Sequence, residues 1–198
     1  HGKTNIGQIE VPDLRLKALA DVVKPAKVVP TTIEIIDIPG LAKGSSSQKG
    51  GNQFLSDIRN TDAIIHLLRC FDNDAVPHSE GSVNPLRDKE IVDLELIFKD
   101  LETLEKKIQR LDKLSRVGDK EARQGLEVLA RLQAHLEEGN PVRSFEIAEA
   151  DKKLLDDCFF LSIKPVIYVC NVDEQAAATG NQYTEMVKDA IAAEGAGM

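Results

Sequence analysis

Thr31-Thr32-Ile33-Glu34-Ile35-Ile36-Asp37-Ile38-Pro39-Gly40 decides how this chain is read. The first six residues are apolar and β-branched enough for a buried strand. Asp37 closes that run and Gly40 follows three positions later. At the carboxyl end of such a strand, nucleotide-hydrolysing α/β proteins hold the magnesium of a bound triphosphate. The carboxylate reaches the metal, often through water. The glycine lets a backbone N–H approach the terminal phosphate, which a side chain would obstruct. Four loosely specified positions recur by chance, so the motif draws its weight from the strand before it. The Gly/Ser-rich stretch Gly44–Asn52 after it adds to that weight, although such a stretch also reads as a simple linker.

Two further continuous apolar runs, Ala63–Cys70 and Pro165–Asn171, read as strands of a parallel sheet covered on both faces. A weaker strand candidate, Ile6–Val11, precedes Asp13, a plausible N-cap for a helix over Leu14–Lys24. Helices are also expected over Asn52–Asn60 and Tyr183–Glu194. Strands alternating with helices give an α/β layer.

The middle third follows a different period. Leu94, Ile97, Leu101, Leu104, Ile108 and Leu111 step by threes and fours, with charges between them. The pattern breaks at Gly118-Asp119 and resumes through Ala122, Leu126, Leu129, Leu132 and Leu136, until Gly139-Asn140-Pro141 stops it. Two helices joined by a short polar turn should fold back as an antiparallel coiled-coil hairpin. The expected organisation is a nucleotide-binding domain begun over 1–85, a hairpin inserted over 86–150, and the domain resumed over 151–198.

Composition narrows the function. With 25 Lys plus Arg against 33 Asp plus Glu, the net charge of −8 argues against a broad nucleic-acid-binding face, leaving room for a local basic patch. Trp is absent and aromatics are few, which disfavours stacking on exposed bases. Cys70, Cys158 and Cys170 have no C-x-x-C or zinc spacing and read as reduced core thiols. His78 and His135 also lack partners at ligand spacing, and His66 sits inside an apolar run as a core or sheet-edge residue. No run is long enough for a membrane span. The chain opens His1-Gly2-Lys3-Thr4 without methionine and is read as an internal piece of a longer protein.

At the end of the third strand stands Asn171-Val172-Asp173-Glu174. GTPases place N-K-x-D there, the aspartate accepting two hydrogen bonds from the guanine edge. A glutamate in that position, with Val172 in place of lysine, removes the main reason to prefer guanine. A helix-capping cluster after a strand is the simpler reading of the same residues.

Taken with Val11–Leu16, Pro30-Thr31-Thr32, Asn60–Ile64 and Arg69–Asn73, these motifs resemble the Obg-like ATPase (YchF) family, a branch of translation-factor P-loop NTPases. The resemblance runs through nearly the whole chain. It implies a P-loop NTPase-type, mostly parallel α/β sheet with an inserted helical hairpin. It further implies a cytoplasmic, ribosome-associated, magnesium-dependent ATPase that uses GTP less selectively. On that basis Asp37 would hold Mg2+ and Gly40 would contact the γ-phosphate. Asn171, the Val172 backbone and Glu174 would take the base. Leu41 stands where Ras-like GTPases carry a catalytic glutamine, so no catalytic residue is assignable. The family's G-x-x-x-x-G-K-[ST] cradle does not occur in this sequence, so the chain alone should bind nucleotide weakly or not at all. Two rivals remain: a non-enzymatic module acting through the hairpin, and a GTP-preferring member of the same branch.

Overall fold

The computed structural model describes residues 5–38, 49–192, 194 and 197–198, with the backbone alone over 49–53. The chain divides into two compact units at residue 40.

The first unit is a β-hairpin with one helix. β1 (Asn5–Glu10) pairs antiparallel with β2 (Thr32–Asp37), Asn5 opposite Asp37 and Glu10 opposite Thr32. α1 (Leu14–Val23) starts where expected, because the Asp13 carboxylate accepts the Arg15 N–H at 2.9 Å. Lys24 ends it in the left-handed conformation at φ 47°, its N–H bonded to Ala20 C=O. Here the structure corrects the reading of the opening stretch. β2 is paired antiparallel, and all its side chains except the half-buried Ile36 are exposed. Two strands and a ten-residue helix supply no layer that could cover both faces, so β-branched composition marks the strand without marking its burial.

In the second unit α2 (Lys49–Arg59) leads into β3 (Ile64–Arg69), which pairs in parallel with β4 (Val166–Asn171), Arg69 opposite Asn171. This pair meets the expectation of parallel pairing but not that of cover on both faces, since Ile65, Leu67, Ile167 and Val169 on the second face are exposed. One face of it, with Leu68, Val166 and Tyr168, packs on Val187 and Ile191 of α5 (Gln182–Ala192).

Between β3 and β4 runs the helical hairpin. α3 (Pro85–Arg116) is capped by Asn84, whose side chain accepts the Arg87 N–H at 3.1 Å, with Pro85 in the first turn. α4 (Lys120–Glu137) is capped likewise by Asp119 through the Ala122 N–H at 3.0 Å. Gly118, at φ 96°, makes the reversal that an L side chain would strain. Ile97, Leu104, Leu111, Ala122, Leu129, Leu132 and Leu136 are buried along the seam, as the heptad spacing predicts. Leu94 is the exception and stays 43% exposed.

The hairpin is not a bare pair of helices. The returning segment 142–160 lies along it, contributing Val142, Leu155, Cys158 and Phe160 to the same core. Asp100, fully buried on α3, fastens that segment. Its carboxylate accepts hydrogen bonds from Leu161 N–H (2.7 Å), Ser162 N–H (2.7 Å) and Ser162 Oγ–H (2.6 Å). Ser162 Oγ in turn accepts from Val142 N–H at 3.0 Å, and Ser162 C=O from Arg143 N–H at 3.1 Å. Burial raises the Asp100 pKa, and the three donors pull it back toward the charged form. Further along α3, Lys107 and Arg110 both grip Asp157, holding that carboxyl down at about 2.

Three outcomes follow. Leu129→Ala should cost about 2–5 kcal/mol in urea denaturation, the range for a buried leucine whose cavity does not collapse. Asp100→Ala should cost about 3 kcal/mol or more, because it strands several buried donors. Asp157 has its folded pKa depressed below the ordinary 3.8, so its contribution is complete above about pH 4 and lost as pH falls toward 2. The carboxylate is half exposed, which limits the effect to under about 1 kcal/mol. In Asp157→Asn the acid-side fall of the urea midpoint should be correspondingly shallower.

Candidate functional site

The parallel pairing of β3 and β4 brings their carboxyl ends side by side, the position where open α/β sheets bind ligands. Cys70 N–H donates to Asn171 C=O at 2.7 Å and fixes the two exits relative to each other.

After β3 the chain turns over Arg69. Its guanidinium donates to the carbonyls of Phe71 (3.1 Å), Asn73 (3.1 Å) and Val76 (2.9 Å), so one side chain organises the loop. Asn73 Oδ1 accepts the Ala75 N–H at 2.9 Å and caps the loop.

After β4 comes the predicted base loop. Asn171 ends the strand with its side chain exposed, and Val172 is half buried against the β3–β4 core. Asp173 Oδ1 accepts the Ala176 N–H at 2.8 Å and caps the following turn. The capping reading therefore holds for Asp173. The exposed side chains of Asn171 and Glu174 have no hydrogen-bond partner among the described residues. An amide offering donor and acceptor beside an acceptor-only carboxylate can read the polar edge of a planar base.

Two residues that sequence reasoning missed hold this loop. Asn181 Oδ1 accepts the N–H groups of Tyr183 (3.0 Å) and Thr184 (3.1 Å), capping α5. Its Nδ2 donates to Cys70 C=O at 2.7 Å, tying the helix start to the exit of β3. The Tyr183 hydroxyl donates to both carboxylate oxygens of Asp72 at 2.9 Å, and that acceptor raises the tyrosine pKa. An asparagine ahead of a helical run was the available signal for the cap; nothing local announced the tether. Gly180 is required beside it, since its φ is 74° and a Cβ would stand 2.5 Å from Thr184 Oγ1.

Of the other candidates, Asp37 ends β2 in the first unit with its carboxylate exposed. Gly40 lies outside the described residues. Among the described residues no group of three potential metal ligands is gathered. His66 stacks at 5.7 Å from Tyr168, and burial lowers its pKa, as suits a core histidine. His78 Nδ1 accepts the Glu80 N–H, which leaves Nε2–H to donate to Asp88 at 2.9 Å. The cysteines are free, and burial pushes the thiols of Cys70 and Cys158 up to about 12 and about 11.

With this geometry in place, the relatives are informative. No protein-family model matches the chain. The ribosome-binding ATPase YchF of Bacillus subtilis is 44% identical over 195 residues, 97% of this chain and 53% of that protein. The ribosome-binding ATPase YchF of Escherichia coli O157:H7 is 42% identical over 192 residues, 96% of this chain and 53% of its own. The structure of the Schizosaccharomyces pombe YchF GTPase superposes with a TM-score of 0.82 at 32% identity, over 98% of this chain and 54% of that one.

The chain belongs to the YchF family. It spans about half the length of the curated relatives it matches. Its fold is accordingly the P-loop NTPase-type α/β fold of YchF proteins, with long helices joined to a parallel strand pair. Among the described residues no helix is long and apolar enough to cross a membrane.

Within the YchF fold Asn181 should act as a brace for the base loop. Asn181→Ala should lower stability by about 1–2 kcal/mol in thermal denaturation through the lost cap and tether. Asn181→Asp, which keeps the cap and loses the Nδ2 donor, should fall between it and the parent.

Proposed function

We propose that the full-length protein is a cytoplasmic nucleotide hydrolase that converts ATP to ADP and phosphate, accepts GTP less selectively, and acts as a ribosome-associated switch. The observation that carries this reading is the base loop. The side chains of Asn171 and Glu174 stand exposed, with no hydrogen bond among the described residues, at the carboxyl end of β4 beside the exit of β3. Glutamate in place of aspartate sets the carboxylate one methylene further out, away from the position that meets the guanine N1–H and N2–H2 pair, and leaves an acceptor for the adenine amino group. The Val172 backbone would complete the base contact.

Asp37 is the residue to hold Mg2+. An exposed carboxylate at a strand end suits a water-mediated contact to a metal carried in on nucleotide phosphates, and no larger ligand set surrounds it among the described residues. The ion would neutralise phosphate charge, and Gly40 would approach the γ-phosphate through its N–H. In this reading residues 1–85 and 151–198 build the nucleotide-binding domain around a hairpin inserted over 86–150. Partners would be ATP or GTP and the ribosome or its subunits. Neither a membrane nor sequence-specific DNA would be among them.

A second reading is a GTP-preferring enzyme, favoured by the likeness to the S. pombe YchF GTPase. Binding of fluorescent ATP and GTP analogues with magnesium separates the two. It should be measured on this chain and on a version carrying the family's G-x-x-x-x-G-K-[ST] segment. Binding should appear only in the extended version, with ATP at least equal to GTP. There Glu174→Ala should weaken ATP by about tenfold, the worth of one charged hydrogen bond. Asp37→Ala should remove the magnesium dependence. A GTP preference that survives Glu174→Ala would establish the second reading. No binding in either version would leave the hairpin as the working part.

A further inference from the structure

We propose that the returning segment 146–163 carries a docking cup for a basic polypeptide, which inserts one bulky apolar side chain beside Phe159. Ile147, Leu155, Phe160 and Ile163 line an open cavity of about 330 Å3, with Phe159 on its wall. Its polar lining is Lys152 and Asp156. The volume lies at the small end for a pocket that encloses a whole small molecule, so the cup fits one side chain of a larger partner.

Phe159 is the independent sign that this face is built for contact. Its ring is 64% exposed, and its backbone sits in the left-handed region at φ 49°. That region is strained for a bulky L residue, and glycine or asparagine would occupy it with less strain. The surrounding fold explains the conformation but not the choice of phenylalanine. Cys158 N–H donates to Leu155 C=O at 3.0 Å and Leu161 N–H to the Asp100 carboxylate at 2.7 Å, so both flanks are fixed. Cys158 and Phe160 are buried on either side, which leaves the chain between them to present Phe159 outward. A strained backbone held by its surroundings under an exposed aromatic ring points to contact with a partner, since the ring does no packing work inside. Ile163, 45% exposed, extends the apolar surface.

Charge selects the partner. From 146 to 157 the sequence carries five carboxylates (Glu146, Glu149, Asp151, Asp156, Asp157) and two lysines. Glu149 pairs with Lys152 at 2.6 Å, and Asp157 is gripped by Lys107 and Arg110. Glu146, Asp151 and Asp156 make no ion pair among the described residues, and Lys153 is the one cation of the stretch without one. An anionic rim repels phosphate, which sets aside nucleic acid, free nucleotide and anionic lipid. It also disfavours a second copy of this chain, because a symmetric contact would bring two such rims together. A cationic segment with one apolar anchor satisfies both the rim and the cup.

The test selects binders to this chain from a displayed library of random peptides of about twelve residues. The selected peptides are then measured by fluorescence anisotropy. They should share one bulky apolar residue flanked by lysine or arginine. Phe159→Gly removes the ring and relaxes the left-handed backbone. It should weaken the peptides by about tenfold or more, while the melting temperature stays close to the parent's. Asp151→Asn/Asp156→Asn should weaken them by about threefold in low salt and less in high salt. Glu90→Gln/Asp189→Asn, an equal charge change at exposed sites on α3 and α5, should leave them unaltered. A library that yields no binder would overturn the proposal. So would selected peptides that are acidic, or that bind the Phe159→Gly chain as well as the parent. Equal losses in both charge variants would reduce the effect to net charge and overturn it. Sedimentation showing self-association that Phe159→Gly abolishes would give the face to a second copy. Peptides that bind this chain but not the full-length protein would give it to another segment of that protein. Either result would also overturn the proposal.

Discussion

The Asp100 carboxylate is the constraint on which the arrangement of the second unit depends. It sits fully buried on α3 and receives three short hydrogen bonds from Leu161 and Ser162. Those two residues immediately precede β4, whose last residue opens the base loop. One buried anion thus joins the hairpin to the strand that presents the candidate site. Such an anion is tolerable only because its donors are local, fixed and several. Ser162 extends the node to Val142, where the chain leaves the hairpin, so the middle of α3, the hairpin exit and the approach to β4 are pinned together.

A second polar node lies nearby. Lys89 on α3 bridges Asp93 and Glu194 at 2.9 and 2.6 Å, and Arg143 reaches Asp93 at 3.3 Å. Burial opposes the charge on Lys89, but its bonds to Glu194 and Asp93 outweigh that and raise its pKa. The ammonium also lies 5.5 Å from the Tyr168 ring on β4. The base of the hairpin is therefore fastened by charge as well as by apolar packing.

The candidate site shows a division of labour. The side chains of Asn171 and Glu174 are exposed and make no hydrogen bond among the described residues, whereas those of their neighbours do a great deal. Asp173 caps the turn, Asn181 caps α5 and tethers β3, and Arg69 gathers three carbonyls. An exposed side chain kept out of the local hydrogen bonding is still held in place when its neighbours' bonds fix the backbone.

Local chemistry alone determined much of this protein. The caps at Asp13 and Asp119, the stop at Gly139 and the apolar stripes of the two long helices from Ile97 to Leu136 all follow from spacing and residue type. Each is a short-range pattern, settled within a few residues of itself. Tertiary structure decided the rest. Whether β2 is buried depends on which layers meet it, and within its unit none covers both faces. Asp100 looks like one more charge on an acidic helix, although its place between Ile97 and Leu104 put it on the buried stripe. Its partners lie some sixty residues away, and Asn181 reaches Cys70 across 111 residues. Long-range hydrogen bonds carry no sequence period. They exist only once the chain has brought a donor and an acceptor to the same buried place.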